Sequence, residues 1–398
     1  MSNLLPPWLP IFSAMLGVLA VTHGFLWLRL IRSPGLRRGW RWGGSLLLLL
    51  LALSIPLNFV MGRDAPFPGW EIFLRTVFLW IGVMGLLFSF LLGAEILRWA
   101  GRLAMYLRGG EFDPGRRVLF SRAVAGGALL GTAGVSAFAT RAAAAAPQLR
   151  KVQVALPRLP ESLSGITIAQ ISDLHVGVNI GRGYVADVVR RVNALKPDII
   201  AITGDLVDGE AGYLSGDIVP IGQLKARHGV YFVPGNHEYY SGLGPWLHRL
   251  RTMGLKILRN SHVCIGTGKD SFCLAGVDDS DFRAYTQGHG ANVGRALEGV
   301  TEGQEIVLLA HRPREIFDAA KHGVGLQLSG HTHGGQMWPM TWLVPLTQPY
   351  VAGLARHENT QIYVSTGTGY WGPPMRLGTE SEITLIELVR EGAADAKA

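Results

Sequence analysis

"LSGHTHGGQ", residues 328–336, sets His331 and His333 one residue apart among glycines, directly after a short apolar run. Four other segments share this design: "ITIAQISDLH" (166–175), "PDIIAITGD" (197–205), "VYFVPGNHE" (230–238) and "IVLLAHRP" (306–313). Each reads as an apolar strand closing on a polar signature, and the helical stretches between them give an α/β pattern. Ligands of open α/β sheets gather beyond the carboxyl ends of the strands, so five such ends predict one shared site. Taken singly, Asp-x-His or Gly-Asp is ordinary turn chemistry and a lone His is a hydrogen-bonded core residue. The whole series, Asp173, His175, Asp205, Asn236, His237, His311, His331 and His333, each behind a strand, is not coincidence.

The residue types point to metal. Carboxylate, imidazole and amide oxygen without thiolate suit Mn, Fe or Zn, and there are too many ligands for one ion. Two divalent ions are therefore expected. Asp173 and His175, two apart on extended backbone, would point to the same side and share one ion. Asp205 is the natural bridge between ions. Two ions about 3.5–4 Å apart clamp the attacking and leaving oxygens of a phosphoryl displacement and yield hydroxide near neutral pH. The predicted chemistry is metal-assisted phosphoester hydrolysis by attack of a metal-bridged hydroxide.

On these motifs, residues 152–390 resemble the calcineurin-like metallophosphoesterase superfamily. The resemblance implies a four-layer α/β/β/α sandwich, with Asp173, His175 and His333 on one ion, Asn236, His311 and His331 on the other, and Asp205 between them. It implies that His237 stands near the leaving group, where it protonates the departing oxygen or steadies phosphoryl charge; the alternative is a hydrogen-bonded loop histidine. Glu238 is expected to hold that loop. The closing stretch "YVSTGTGYWGPPMRLGTESEITLIEL" (363–388) and "GGQMWP" are similar to the exported bacterial branch of phosphodiesterases and cell-envelope enzymes, and the apolar N-terminal third resembles transmembrane proteins that carry this domain. One departure is Arg314, where the family often has Asp. Two other readings stay open: a pyrophosphatase for a lipid-linked or nucleotide-sugar envelope precursor, and a non-catalytic membrane sensor that keeps the fold.

The first third is built differently. Of 398 residues, 48% are hydrophobic, high for a protein without membrane segments. Runs 8–31, 42–61 and 76–97 reach the roughly 20 apolar residues that a bilayer core requires, and 123–140 is a shorter run of small residues. "SLLLLLLALSIPLNFVM" has no polar face to turn to water. Residues 1–140 are thus expected to form a membrane domain of about four helices, 141–151 a linker, and 391–398 a disordered tail.

The net charge of +8 raises nucleic acid as a partner, but the basic excess lies wholly in residues 1–150, with 15 Arg against 5 acids. These arginines flank apolar runs instead of lining a stripe, so no nucleic-acid partner is expected. Arg29, Arg32, Arg37, Arg38 and Arg41 follow the first run, and Arg98, Arg102, Arg108, Arg116, Arg117 and Arg122 follow the third. The positive-inside rule makes both loops cytoplasmic, which leaves everything after the fourth run on the periplasmic or extracellular side of the cytoplasmic membrane. "GRRVLFSRAVAGGALLGTAG" (115–134) also resembles an internal twin-arginine export signal, and the alanines of "TRAAAAAPQLRK" could mark a cleavage site as well as a linker.

Three substrate-side expectations remain. Arg312 and Arg376 could grip a phosphate oxygen with a guanidinium fork, with surface solvation as the alternative and the preferred reading for Arg314. Trp338 and Trp342, in the apolar "MWPMTWLVPLTQPYVAG" (337–353), could lean on the bilayer and admit a lipid-linked phosphoester, or pack on their own domain. Cys264 and Cys273 could face each other across a hairpin and form a disulfide, or be two small apolar residues.

Overall fold

The computed structural model describes residues 9–61, 68–108, 116–282 and 290–392. The chain divides into two compact units, Met1–Thr140 and Arg141–Ala398.

The first unit holds four helices: α1 (Leu9–Trp27, continued by a wider turn over Leu28–Arg32), α2 (Arg38–Met61), α3 (Trp70–Leu107) and α4 (Arg116–Ala144). All four are long and apolar enough to cross a membrane. The expected third span, 76–97, lies inside a helix of 38 residues, which at 1.5 Å per residue extends well beyond a bilayer core of about 30 Å. Leu46, Leu47, Leu49, Leu50 and Leu53 of α2 are exposed, the surface a lipid-facing helix presents. Polar pairs join the helices: Trp27 Nε1 donates to Ser45 Oγ at 2.8 Å, Trp80 Nε1 to His23 Nε2 at 3.2 Å, and Arg29 pairs with Glu95 at 2.7 Å. His23, whose role does not show in the sequence pattern, thus ties α1 to α3. The twin-arginine reading falls on Arg116 and Arg117, whose side chains lie outside the described residues, as do residues 393–398 of the expected tail.

The expected linker 141–151 is mostly regular structure. Helix α4 runs through Ala144 and strand β1 opens at Gln148, so only residues 145–147 stand between the two elements.

Among its described residues the second unit has twelve strands: β1 (Gln148–Leu156), β2 (Ile166–Ile171), β3 (Ile199–Thr203), β4 (Val230–Val233), β5 (Lys256–Ile257), β6 (Ser261–Thr267), β7 (Asp270–Gly276), β8 (Ile306–Leu309), β9 (Leu326–Ser329), β10 (Gly353–His357), β11 (Thr360–Val364) and β12 (Glu382–Arg390). They form two six-stranded sheets, ordered β1-β12-β2-β3-β4-β5 and β10-β11-β9-β8-β7-β6. Strands β2 to β5 run parallel in the first sheet, and β7, β8, β9 and β11 do so in the second. The last strand, β12, inserts beside β2 antiparallel.

The inner faces meet in one core: Ile168, Ile199, Ala201, Val233 and Ile386 from the first sheet, with Phe272, Leu274, Val307, Leu309 and Leu328 from the second. Because successive side chains of a strand alternate faces, Ile200 and Ile202 of β3 point the other way, toward Val188 and Val192 of helix Arg182–Ala194 and Trp246 of helix Leu243–Thr252. Cys273, Ile306 and Leu308 likewise back onto helices Val293–Ala296 and Ile316–Lys321. Each fully buried Leu, Ile or Phe contributes about 1.5–3 kcal/mol, so two-sided burial fixes the register of the central strands. The four layers are those expected from the sequence. Cys264 and Cys273 are opposed in register, yet both are free thiols, one exposed and one buried.

Candidate metal centre

The five motif-bearing strands belong to both sheets: β2, β3 and β4 to the first, β8 and β9 to the second. Asp173, Asp205, His311 and His331 each stand two residues past a strand end and Asn236 three past, so packing the sheets face to face brings the five ends together.

Three clusters of ligand atoms lie there, each within 4.8 Å: Asp173, His175 and His333; Asp205, His311 and His331; and His175, Asp208 and His237. His175 Nε2 faces His333 Nε2 at 3.1 Å, with Asp173 Oδ1 at 3.5 Å from His333. His311 Nε2 lies 3.1 Å from Asp205 Oδ2 and 3.2 Å from Asn236 Oδ1. Asp205 Oδ2 is also 3.8 Å from His175 Nε2, so one carboxylate reaches both three-residue groups. All seven expected ligands are brought together.

The local backbone departs from the expectation for Asp173 and His175. The segment is not extended: Asp173 has φ 53° and His175 φ 50°, and Asp205, His331 and His333 are left-handed too, at 50°, 72° and 51°. Non-glycine residues in this region are uncommon and cost of order 1–3 kcal/mol each, a strain that collects at functional sites. Left-handed turns at these strand ends, not strand alternation, aim the side chains inward. Gly330 allows the closest approach: a Cβ there would run into Ser172 Oγ and the Asp173 carboxylate.

Protonation prepares the site for cations. Burial, then the neighbouring His237, lowers His175 to about 3; burial, then His311 and Arg312, lowers His331 to about 2; burial and His175 hold His333 well below its usual range. Neutral imidazole is the form that binds metal. Burial opposes charge on His311, but the Asp205 carboxylate prevails and raises it to about 10, so a proton there occupies the place of positive charge. Two imidazole nitrogens face to face share at most one hydrogen, and His175 Nδ1 and His333 Nδ1 are buried without partners. A donor set of neutral imidazoles and carboxylates fits a divalent metal centre.

Around the ligands lies a supporting shell. As expected, Glu238 is a loop holder: its carboxylate accepts from the backbone N–H of Asp205 at 3.0 Å, Leu206 at 2.8 Å, Val207 at 3.2 Å and Gly235 at 2.7 Å. His237 N–H donates to Asp205 Oδ1 at 2.8 Å, while its ring Nδ1–H donates to Asp208 Oδ1 at 2.9 Å. Its Nε2 is thereby left toward the centre, 4.0 Å from Asp205 Oδ2. Asp208 went unrecognised in the sequence, although "GDLVD" carries it three residues past Asp205.

Arg376 is corrected. It is 1% exposed, and its guanidinium donates to the carbonyls of Thr366, Gly369 and Glu380 and to Thr379 Oγ1. It braces the loop behind His333 and has no fork left for phosphate. Arg312 is half as available: Nε binds Asp279 at 2.8 Å, while Nη1 lies 3.2 Å from His331 Nε2 and 2.7 Å from Asp281. Arg314 pairs with Ser280 and Asp281 and stays outside the cluster. Trp342 is exposed, edge-on to Trp338 at 5.8 Å, and neither belongs to the ligand clusters.

This geometry defines a divalent metal centre at the shared edge of a two-sheet α/β sandwich. Residues 166–335 match the family model for calcineurin-like phosphoesterases. The chain is 36% identical over 391 residues to a Danio rerio transmembrane protein with metallophosphoesterase domain, covering 92% of this chain and 85% of that one. A Bos taurus protein of the same description is 40% identical over 307 residues, 74% and 67% of the two chains. An uncharacterised metallophosphoesterase of Helicobacter pylori is 39% identical over 252 residues, 63% and 66%. The chain belongs to the calcineurin-like metallophosphoesterase family, a hydrolase acting on phosphoester bonds. The descriptions of these relatives and the four apolar helices associate it with a membrane.

Proposed function

We propose that the protein is a membrane-anchored phosphoesterase with two divalent ions, Mn, Fe or Zn, hydrolysing a phosphoester, lipid-linked in our reading, on the outer side of the cytoplasmic membrane. The observation that carries this is the position of Asp205, whose Oδ2 reaches His311 and His175 in adjacent clusters. Asp173, His175 and His333 would hold one ion, Asn236, His311 and His331 the other, and Asp205 would contribute to both. When bound, such a pair supplies Lewis acidity and activates water near neutral pH.

The chain's own residues do the rest. Asp208 accepts Nδ1–H and favours the doubly protonated ring, whose Nε2–H can pass a proton to the departing oxygen, a role worth about 10²–10⁴-fold. Arg312 Nη1, beside His331, adds positive charge next to the phosphoryl oxygens. Left-handed backbone and the Glu238 clasp hold these groups before substrate arrives.

Bis-p-nitrophenyl phosphate should be hydrolysed by the full-length protein with added Mn²⁺, and the rate should fall to background in excess chelator. Protein that binds metal tightly yet stays inert would favour the sensor reading. Sidedness has its own test: Cys264 is exposed and Cys273 buried, so a membrane-impermeant maleimide should label Cys264 in intact spheroplasts. Labelling only after lysis would place the domain inside.

A further inference from the structure

His237 stands between two aromatic rings that the metal clusters do not include. Tyr240 meets it at 5.5 Å and 83°, and Trp371 at 5.6 Å and 70°. Both rings are largely open to solvent, Tyr240 at 62% and Trp371 at 48% exposure. Burial of such rings stabilises a fold strongly, each carrying 150–250 Å² of surface, so leaving two of them open at a rim has a cost. Trp371 is nonetheless held firmly. Its N–H donates to Gln336 Oε1 at 2.9 Å, and Gln336 Nε2 donates to its carbonyl at 2.8 Å. The same segment is braced from behind by Arg376. An open aromatic ring on a backbone pinned in place, beside the group that faces the leaving oxygen, is built to receive something.

The segment that follows Gln336 is apolar and is tied to the same loop. The backbone N–H of Trp338 donates to Leu377 O at 2.9 Å, which joins the segment after Gln336 to the loop that carries Trp371. The following short helix, Met340–Leu343, buries no residue. Met340, Trp342, Leu343 and Leu346 are all exposed, Leu346 at 79%. Contiguous apolar patches of this kind mark interaction sites, and Trp beside aliphatic side chains is the composition of an interfacial anchor. The occupant follows from the chain itself: four helices are of membrane length, and α4 ends only residues 145–147 ahead of β1. A chain that carries helices of membrane length works in the company of lipid, the apolar ligand that this composition favours.

We propose that Tyr240 and Trp371 form the leaving-group subsite, and that Met340, Trp342, Leu343 and Leu346 extend it into a surface for the apolar chain of a lipid alcohol. The inference rests on the phosphoesterase reading and narrows its substrate. In the reaction, water adds to phosphorus, the P–O bond to the lipid alcohol breaks, and the alcohol oxygen takes a proton. The phosphate leaves into water and the alcohol stays with the bilayer. The rings act as specificity-determining walls and take no proton themselves.

The test uses full-length protein in lipid nanodiscs hydrolysing bis-p-nitrophenyl phosphate, with ethyl, butyl and octyl phosphate as competitive inhibitors. The inhibition constant should fall along the series, by about tenfold or more from ethyl to octyl, since each buried methylene adds affinity. Trp371→Ala should flatten the step from ethyl to butyl, and Trp371→Phe should restore most of it. Trp342→Ser combined with Leu346→Ser should flatten the step from butyl to octyl. An inhibition constant independent of chain length, or the same slope in all variants, would overturn the subsite. So would a nucleoside monophosphate that binds tighter than octyl phosphate, because the slot would then serve a flat base. Absence of bis-p-nitrophenyl phosphate hydrolysis in the unaltered protein would remove the phosphoesterase reading itself, a failure distinct from loss of chain-length selectivity.

Discussion

Asp205→Asn is expected to lower kcat/KM for bis-p-nitrophenyl phosphate by about 10³-fold or more while leaving the fold intact. The substitution keeps the size of the side chain and one carbonyl oxygen that can still accept His237 N–H, now 2.8 Å from Oδ1. It removes the negative charge that Oδ2 places 3.1 Å from His311 and 3.8 Å from His175. With that charge gone, nothing holds both cations together, and several kcal/mol of charge stabilisation at the phosphoryl group are lost. At 1.36 kcal/mol per tenfold in rate, a loss of about 4 kcal/mol corresponds to about 10³-fold. Metal analysis of the purified variant should show fewer ions per chain, with unchanged far-UV circular dichroism. A variant that keeps two ions and a rate within tenfold of the parent would remove Asp205 from its bridging role.

Much of this site was legible because its determinants are local. A strand that ends in Asp-x-His or Gly-Asp announces its polar terminus within ten residues, and the two-sheet sandwich simply gathers five such termini. Other features depend on contacts far apart in sequence. Arg376 read as a phosphate grip because a sequence shows a guanidinium and not its partners; in the fold its donors are taken by carbonyls from Thr366 to Glu380. Trp371 lies 134 residues beyond His237, and only the packing of the 363–388 segment against the GNHE loop joins them. Asp208 was closer to hand, but the second carboxylate in "GDLVD" looks like turn chemistry until its oxygen is seen on His237 Nδ1.

The regular structure found on either side of residues 145–147 has a physical cause as well. The alanines after Thr140 were read as a linker, yet Ala has the highest helix propensity of any residue, and α4 continues through Ala144. The pairing of Asp173 with His175 was anticipated through strand alternation and is achieved through left-handed turns. The same two side chains converge under either geometry, but only the strained one explains why Gly330 must lack a Cβ where the Asp173 carboxylate passes.

His237→Ala should separate protonation of the leaving group from the rest of catalysis. His237 Nδ1 is tied to Asp208 and Nε2 faces the centre, the arrangement of an imidazolium general acid whose Nδ1–H is held by a carboxylate. Its contribution should depend on how much the departing oxygen needs a proton. Alkoxide is a poor leaving group, so hydrolysis of an alkyl diester should fall by about 10²–10⁴-fold. p-Nitrophenolate departs without protonation, so the loss on bis-p-nitrophenyl phosphate should be far smaller, about tenfold, reflecting only charge placed near the phosphoryl group. Asp208→Asn should follow the same order with smaller losses, about 10–100-fold on the alkyl diester, as expected for a residue that orients another. Equal losses on both substrates would mean that His237 steadies phosphoryl charge and moves no proton. In that case Asp208 would serve only to position the ring.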